Sequence, residues 1–237
     1  MSSRNGPELG YSVVAGVIPC PRGWLIESAK LHGATFAPEK PRVVTSFTDV
    51  LDERPSFSTV AIHAPIGYLD EFRPGGRTCD ALARSLLGPR RGSTVHSAPL
   101  WGSVNDGGDG SSDHLDAITL ELLPRFREVA KEMAPYLQRT VYEVHPELSF
   151  YRLNGDKPLR WSKKTHAGRI ERFALLEKRI PGLSVVLGRH LDGVLQPHLL
   201  DAAALMWTGR LIQARAATRM PTDPEWDEQG LRMEMVF

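Results

Sequence analysis

Three short stretches place side chains where they could do chemistry. Ile62-His63-Ala64-Pro65-Ile66-Gly67 closes an apolar run, so His63 would stand at the carboxyl end of a strand, where open α/β sheets gather their ligands. Tyr142-Glu143-Val144-His145-Pro146-Glu147 lies in a strand-like run over 140–150, and alternation would put Glu143 and His145 on one face. A carboxylate among Val141, Tyr142 and Val144 needs a cation or hydrogen-bond donors if it is buried. Pro197-His198-Leu199-Leu200-Asp201-Ala202 opens a strongly apolar helical run, in which Asp201 would be a carboxylate carried on a rigid element. Each has a plainer reading. His63 could be a rim histidine, 140–150 an edge strand with solvated charges, and Asp201 an acid placed to suit the helix dipole. A fourth stretch, 16–24, is a strand and a tight turn with no catalytic group of its own.

The elements that must carry these residues follow from periodicity. Residues 11–17 are rich in β-branched types and predict a buried strand. After the turn at Pro19-Cys20-Pro21-Arg22-Gly23, 24–30 return as a second strand and 34–38 supply a third. A helix is predicted over 46–53 with Ser46 as its cap, then a fourth strand over 58–64. Further helices are predicted at 80–87, at 115–137 with a break at Pro124, at 166–179 as a solvated face, and at 197–217. Residues 231–237 would close as a strand. The stretch 102–112 reads as a flexible loop. No Gly-Lys-Ser/Thr follows it, so it is not a phosphate-cradling loop.

The 237 residues, 41% apolar, suit one domain with a core that needs no staple. We expect a loose tail over 1–10 and a domain over 11–237 with a helical and loop insertion around 70–138. Lys and Arg total 29 against 28 Asp and Glu, so any nucleic-acid surface would have to be local. Cys20 and Cys79 form neither a metal motif nor a disulfide framework. With no apolar leader and no membrane-length run, the expectation is a cytoplasmic protein with no membrane partner.

The stretches above, in this order, resemble the domain-of-unknown-function 429 family of predicted RNase H-like nucleases. So do Arg77-Thr78-Cys79-Asp80, Ser93-Thr94-Val95-His96-Ser97-Ala98-Pro99, Glu143-Val144-His145-Pro146-Glu147-Leu148-Ser149-Phe150, Ser162-Lys163-Lys164-Thr165 with Gly168 and Arg172, and Gly230-Leu231-Arg232-Met233-Glu234-Met235. The likeness spans about 12–236. It implies an α/β fold with an RNase H-like mixed sheet: hairpin-led, three antiparallel strands then parallel additions, flanked by helices. It also implies two divalent metals that activate water and stabilise the leaving oxygen of a phosphodiester.

The chain departs from that pattern where the metals would bind. Ile18 stands at the first-strand aspartate, Pro19 at the following glycine, His63 at the acid of the fourth strand, and Pro197 and His198 where paired aspartates often open the last helix. Glu143 and Asp201 remain. The resemblance therefore implies impaired two-metal cleavage, with Mg or Mn held weakly at most, and action through binding nucleic acid, a nucleotide or a protein partner. Arg73, Arg77, Arg90, Arg91, Lys163 and Lys164 are candidate phosphate contacts. The alternative is a single-metal Mn or Zn hydrolase using His63, Glu143 and Asp201, with Asp70, Asp80, His145 or Glu147 as further candidate partners. A third reading is metal-free acid–base chemistry with Cys79 as nucleophile beside a histidine.

Overall fold

The computed structural model describes residues 10–105, 115–188 and 191–237. It opens with a hairpin: β1 (Ser12–Cys20) and β2 (Gly23–His32) pair antiparallel from Ser12↔Leu31 to Cys20↔Gly23. β3 (Thr35–Pro38) and β4 (Arg42–Val44) pair antiparallel with opposite ends of β2. β5 (Thr59–Ile62) then adds in parallel to β1, and β6 (Val141–Glu143) in parallel to β5, giving the order β3-β2-β1-β5-β6. The mixed, hairpin-led sheet with parallel additions and flanking helices is thus the one the sequence predicts, with β4 as an unforeseen strand.

Period-two alternation divides the sheet into two buried faces. Ala15, Val17, Trp24, Ile26, Val60 and Ile62 face α1 (Phe47–Leu51) and α4 (Ala117–Glu132), meeting Phe47, Val50, Phe126 and Val129. Val14 and Ile18 face α8 (Gln196–Gln213), which is buried without interruption from Leu199 to Gly209. α8 lies so close to β1 that a Cβ on Gly16 would stand 2.1 Å from the Ala202 carbonyl oxygen and 2.3 Å from the Met206 amide nitrogen. Gly16 is therefore a condition of this packing. The remaining helices are α2 (Thr78–Arg91), α3 (Trp101–Val104), α5 (Pro146–Leu153), α6 (His166–Glu177) and α7 (Leu183–Leu187). Among the described residues no helix is long and apolar enough to cross a membrane.

Four expectations need correction or limits. α4 runs through Pro124 unbroken, because the ring sits on the exposed side while Phe126, Val129 and Ala130 bury the opposite stripe. The run over 140–150 is a strand only to Glu143; His145 becomes the N-cap and Pro146 the first residue of α5, where a missing N–H costs nothing. In the loop predicted over 102–112, Gly102 to Val104 complete α3, and the part from 106 lies outside the described residues, as does the tail over 1–9. The closing strand is β8 (Arg232–Val236), and its antiparallel partner β7 (Arg219–Trp226) escaped prediction. β7 carries two prolines, tolerated because the register shifts between Met220 and Glu225.

One side chain strains this packing. Glu27 of β2 is paired in register with Gly16, is wholly buried, and among the described residues neither carboxylate oxygen has a partner. Burial pushes its carboxyl well above the ordinary glutamate value. A folded-state pKa above the unfolded one means that the unfolded chain releases its proton first. Stability should therefore fall as pH rises past the ordinary carboxylate range, by up to about 1.4 kcal/mol per pH unit. Glu27→Met is expected to remove that slope. In urea titrations at pH 4.5, 6 and 7.5 the variant should gain progressively on the wild type, whereas parallel pH dependences would contradict the assignment.

Candidate functional site

The carboxyl ends of β1, β5 and β6 meet the amino-terminal half of α8, and there the sequence-predicted residues divide into two separately compensated groups. The first is centred on Arg77. Its guanidinium is buried between β6 and the start of α2, with Nη1 and Nη2 donating to the two oxygens of Glu143 at 2.8 and 2.6 Å. Nη2 and Nε also donate to Asp80 at 2.8 and 3.2 Å, and Nη1 donates to the carbonyls of Ile66 and Gly67. The Ile66 amide donates to Glu143 at 2.7 Å. Burial alone would disfavour the cation, but the flanking Asp80 and Glu143 carboxylates raise Arg77 well above the ordinary arginine value. Glu143 is therefore already neutralised, and Arg77 has no N–H left for a ligand from solution.

The second group is centred on Lys163. Its ammonium meets Asp201 at 2.5 Å, and Asp201 lies beyond the first turn of α8, buried, so the macrodipole does not account for it. The loop that carries Lys163 is pinned from below. Thr165 caps α6 by accepting from the Gly168 amide, and a Cβ on Gly168 would fall 2.0 Å from the Ser162 carbonyl. Buried Arg172 donates to the Trp161 carbonyl at 3.0 Å and pairs with Glu147. His63 and His145 stand edge to face beside this pair, ring centroids 5.0 Å apart. Burial and the Lys163 charge hold both imidazoles down to about 3, each with a further push from a neighbouring histidine. His145 accepts from the Glu147 amide at Nδ1 and donates from Nε2 to the Thr94 carbonyl, which selects its neutral tautomer. His198 is lowered too, mainly by burial.

An apolar cluster carries the residues next to both acids, Val144 and Ala202. Ile18 packs with Ala61, Val144, Leu199, Ala202 and Leu205 where the family pattern has its aspartate. The residues present do not fit a pair of divalent metals: Glu143 and Asp201 each have a built-in cation, and isoleucine offers no ligand atom. Among the described residues no group of three or more His, Cys, Asp or Glu side chains could hold a metal ion.

Against β5 and β6 lies a cavity of about 80 Å³ lined by His63, His96, His145, Ala98, Leu122, Phe126 and Met235, with Arg77 and Glu143 at its base. His96 pairs with Asp116, the N-cap of α4, at 2.8 Å. Cys79 is buried among Ala83, Leu87 and Leu148, and burial pushes its thiol up, which removes the nucleophile reading.

The other phosphate candidates are dispersed. Arg73 grips Glu225 through both terminal nitrogens, holding that carboxyl down to about 2. Arg91 reaches the Trp161 carbonyl at 3.4 Å, and Arg90, Lys164 and Asp70 are exposed. The counterion roles of Arg77 and Arg172 were missed from the sequence. An Arg three residues before an Asp at a helix start was the available signal for Arg77, whereas Arg172 sits in a stretch whose alternating charge reads as solvated.

The fold and site define a mixed α/β protein with a charge-compensated cleft at the carboxyl ends of its parallel strands. Over residues 16–226 the chain matches the family described as a protein of unknown function, DUF429, and it belongs to that family. No curated protein and no solved structure matches it.

Removing the guanidinium should be costly because it strands two buried acids. Arg77→Met is expected to destabilise by about 3–5 kcal/mol, and Asp80→Met/Glu143→Met added to it should recover most of the loss, measured by urea denaturation. A cost below about 1 kcal/mol for Arg77→Met would mean that the pairs do not hold the site together.

Proposed function

We propose that this chain is an RNase H-like protein in which two fixed cations, Arg77 and Lys163, stand in for the divalent metals of that fold, so that it binds a nucleotide-like ligand without cutting phosphodiesters. The observation that carries the reading is the pairing of each surviving acid: Glu143 with Arg77 and Asp201 with Lys163. Ile18, packed with Val144 and Ala202, supports it, since isoleucine has no atom that could ligate an ion.

The cavity supports the ligand class. Its walls are mostly apolar and two of its three histidines, His63 and His145, are uncharged at neutral pH, which suits one small planar heteroaromatic ring such as a pyrimidine base. We read residues 70–138 as the insertion that supplies one wall of this cavity, and the cytoplasm as the site of action, consistent with two free buried cysteines. A single Mn or Zn ion on His63, Glu143 and Asp201 is disfavoured, because both ion pairs would have to break first.

Calorimetry tests the reading. Wild-type protein is expected to give no binding heat with Mg²⁺ or Mn²⁺ and no metal-dependent cleavage of single-stranded or hybrid substrates, while cytidine or uridine binds and the cavity variant Ala98→Phe abolishes that binding. Ile18→Asp/Lys163→Ala is expected to gain Mn²⁺ binding. Mn²⁺ binding in the wild type that disappears in Glu143→Ala/Asp201→Ala would overturn it.

A further inference from the structure

The same two parallel strands carry a second concavity at their other ends. Where the histidine cavity lies beyond Ile62 and Glu143, this groove lies where β5 and β6 begin, and it is closed by the carboxyl end of α8 and by β7. It encloses about 520 Å³, and its lining contains three arginines, Arg139, Arg215 and Arg219, and no carboxylate. Arg219 is fixed by Glu234 at 2.5 Å and by stacking over the Tyr142 ring at 5.4 Å. Arg139 and Arg215 are exposed and have no ion pair among the described residues. Gln213 accepts from Thr59 at 2.9 Å through its carbonyl oxygen, which leaves its amide N–H groups as donors. The groove therefore offers donors and positive charge from several directions.

Arg215 gives an independent sign that this charge is kept for use. It follows the last turn of α8 with φ 55, a left-handed position closed by its amide to the Ile212 carbonyl and by the Ala216 amide to the Leu211 carbonyl. Glycine is the residue that holds this conformation without strain. An arginine there bears a steric penalty, and among the described residues no hydrogen bond of its side chain offsets it.

We propose that this groove binds the terminal phosphate of a small phosphorylated ligand, with Arg139 and Arg215 as the recognising pair and Arg219 as the prepositioned third. Guanidinium forks suit a phosphate dianion, whose three oxygens can be met from three sides. Three arginines on one groove, with Arg219 held by Glu234 and Arg139 and Arg215 exposed at its surface, suit a terminal phosphate, whose dianionic charge is concentrated on one group. The inference stands independently of the reading of the histidine cavity.

The test is calorimetric titration with inorganic phosphate and pyrophosphate, using Arg215→Gly and Arg139→Ala. Arg215→Gly relieves the left-handed strain, so the variant should fold with an unchanged or higher Tm. Pyrophosphate is expected to bind the wild type, more weakly as salt rises, and at least tenfold more weakly to each variant, with Arg90→Ala unchanged as a control. Equal binding by wild type and Arg215→Gly would overturn the proposal, as would no binding at 10 mM pyrophosphate (about a hundredfold above a 0.1 mM Kd). Displacement of pyrophosphate by a short oligonucleotide without a terminal phosphate would assign the groove to phosphodiesters and overturn it too.

Discussion

The guanidinium of Arg77 is the interaction on which the cleft depends. It ties the end of β6 through Glu143, the start of α2 through Asp80, and the turn after β5 through the carbonyls of Ile66 and Gly67. A buried carboxylate in this position must be neutralised by a cation, and the protein supplies that cation from its own chain. Because every donor is used, Arg77 stabilises the meeting of three elements, and with the Ile66 amide it occupies three of the four acceptor sites of Glu143. Lys163 supplies the cation for Asp201 through a single contact to Oδ2. Its ammonium sits on a loop and is only half-buried, so the second charge is the more accessible of the two.

The stretch Glu143-Val144-His145-Pro146-Glu147-Leu148-Ser149-Phe150 looks catalytic because of its acids and histidine, yet the structure gives nearly all its polar members an internal partner. Glu143 pairs with Arg77, His145 bridges the Thr94 carbonyl and the Glu147 amide, Glu147 pairs with Arg172, and Ser149 accepts from Thr208 on α8. Phe150 packs under the Arg172 guanidinium at 5.1 Å. The motif thus organises the carboxyl end of the sheet and, through Arg172, seats the loop that presents Lys163.

Much of the scaffold was legible in the sequence because it follows short-range rules. Alternation in β1 and β2, the Pro21-Arg22 turn, the Ser46 cap and the apolar run of α8 each declare themselves within a few residues. The errors came from prolines read without their surroundings: Pro124 sits on an exposed helix side, Pro146 begins a helix, and those of β7 lie at a register shift. Of the residues singled out from the sequence, His63 and Asp201 share the Lys163 neighbourhood. The sequence could not reveal that Glu143 belongs to a different one. Arg77 is 66 positions from Glu143, and Lys163 is 38 from Asp201, so no local pattern links the partners.

We propose that fixed side-chain cations occupy the roles of metal ions beside Glu143 and Asp201. Anomalous diffraction at the manganese edge, from crystals soaked in MnCl₂, tests it most directly, because it locates any ion without assuming an activity. The account expects no anomalous peak within coordination distance of either carboxylate, roughly 2.0–2.6 Å for hard cations on oxygen. A peak bound by Glu143 or Asp201, with Arg77 or Lys163 swung away, would contradict it.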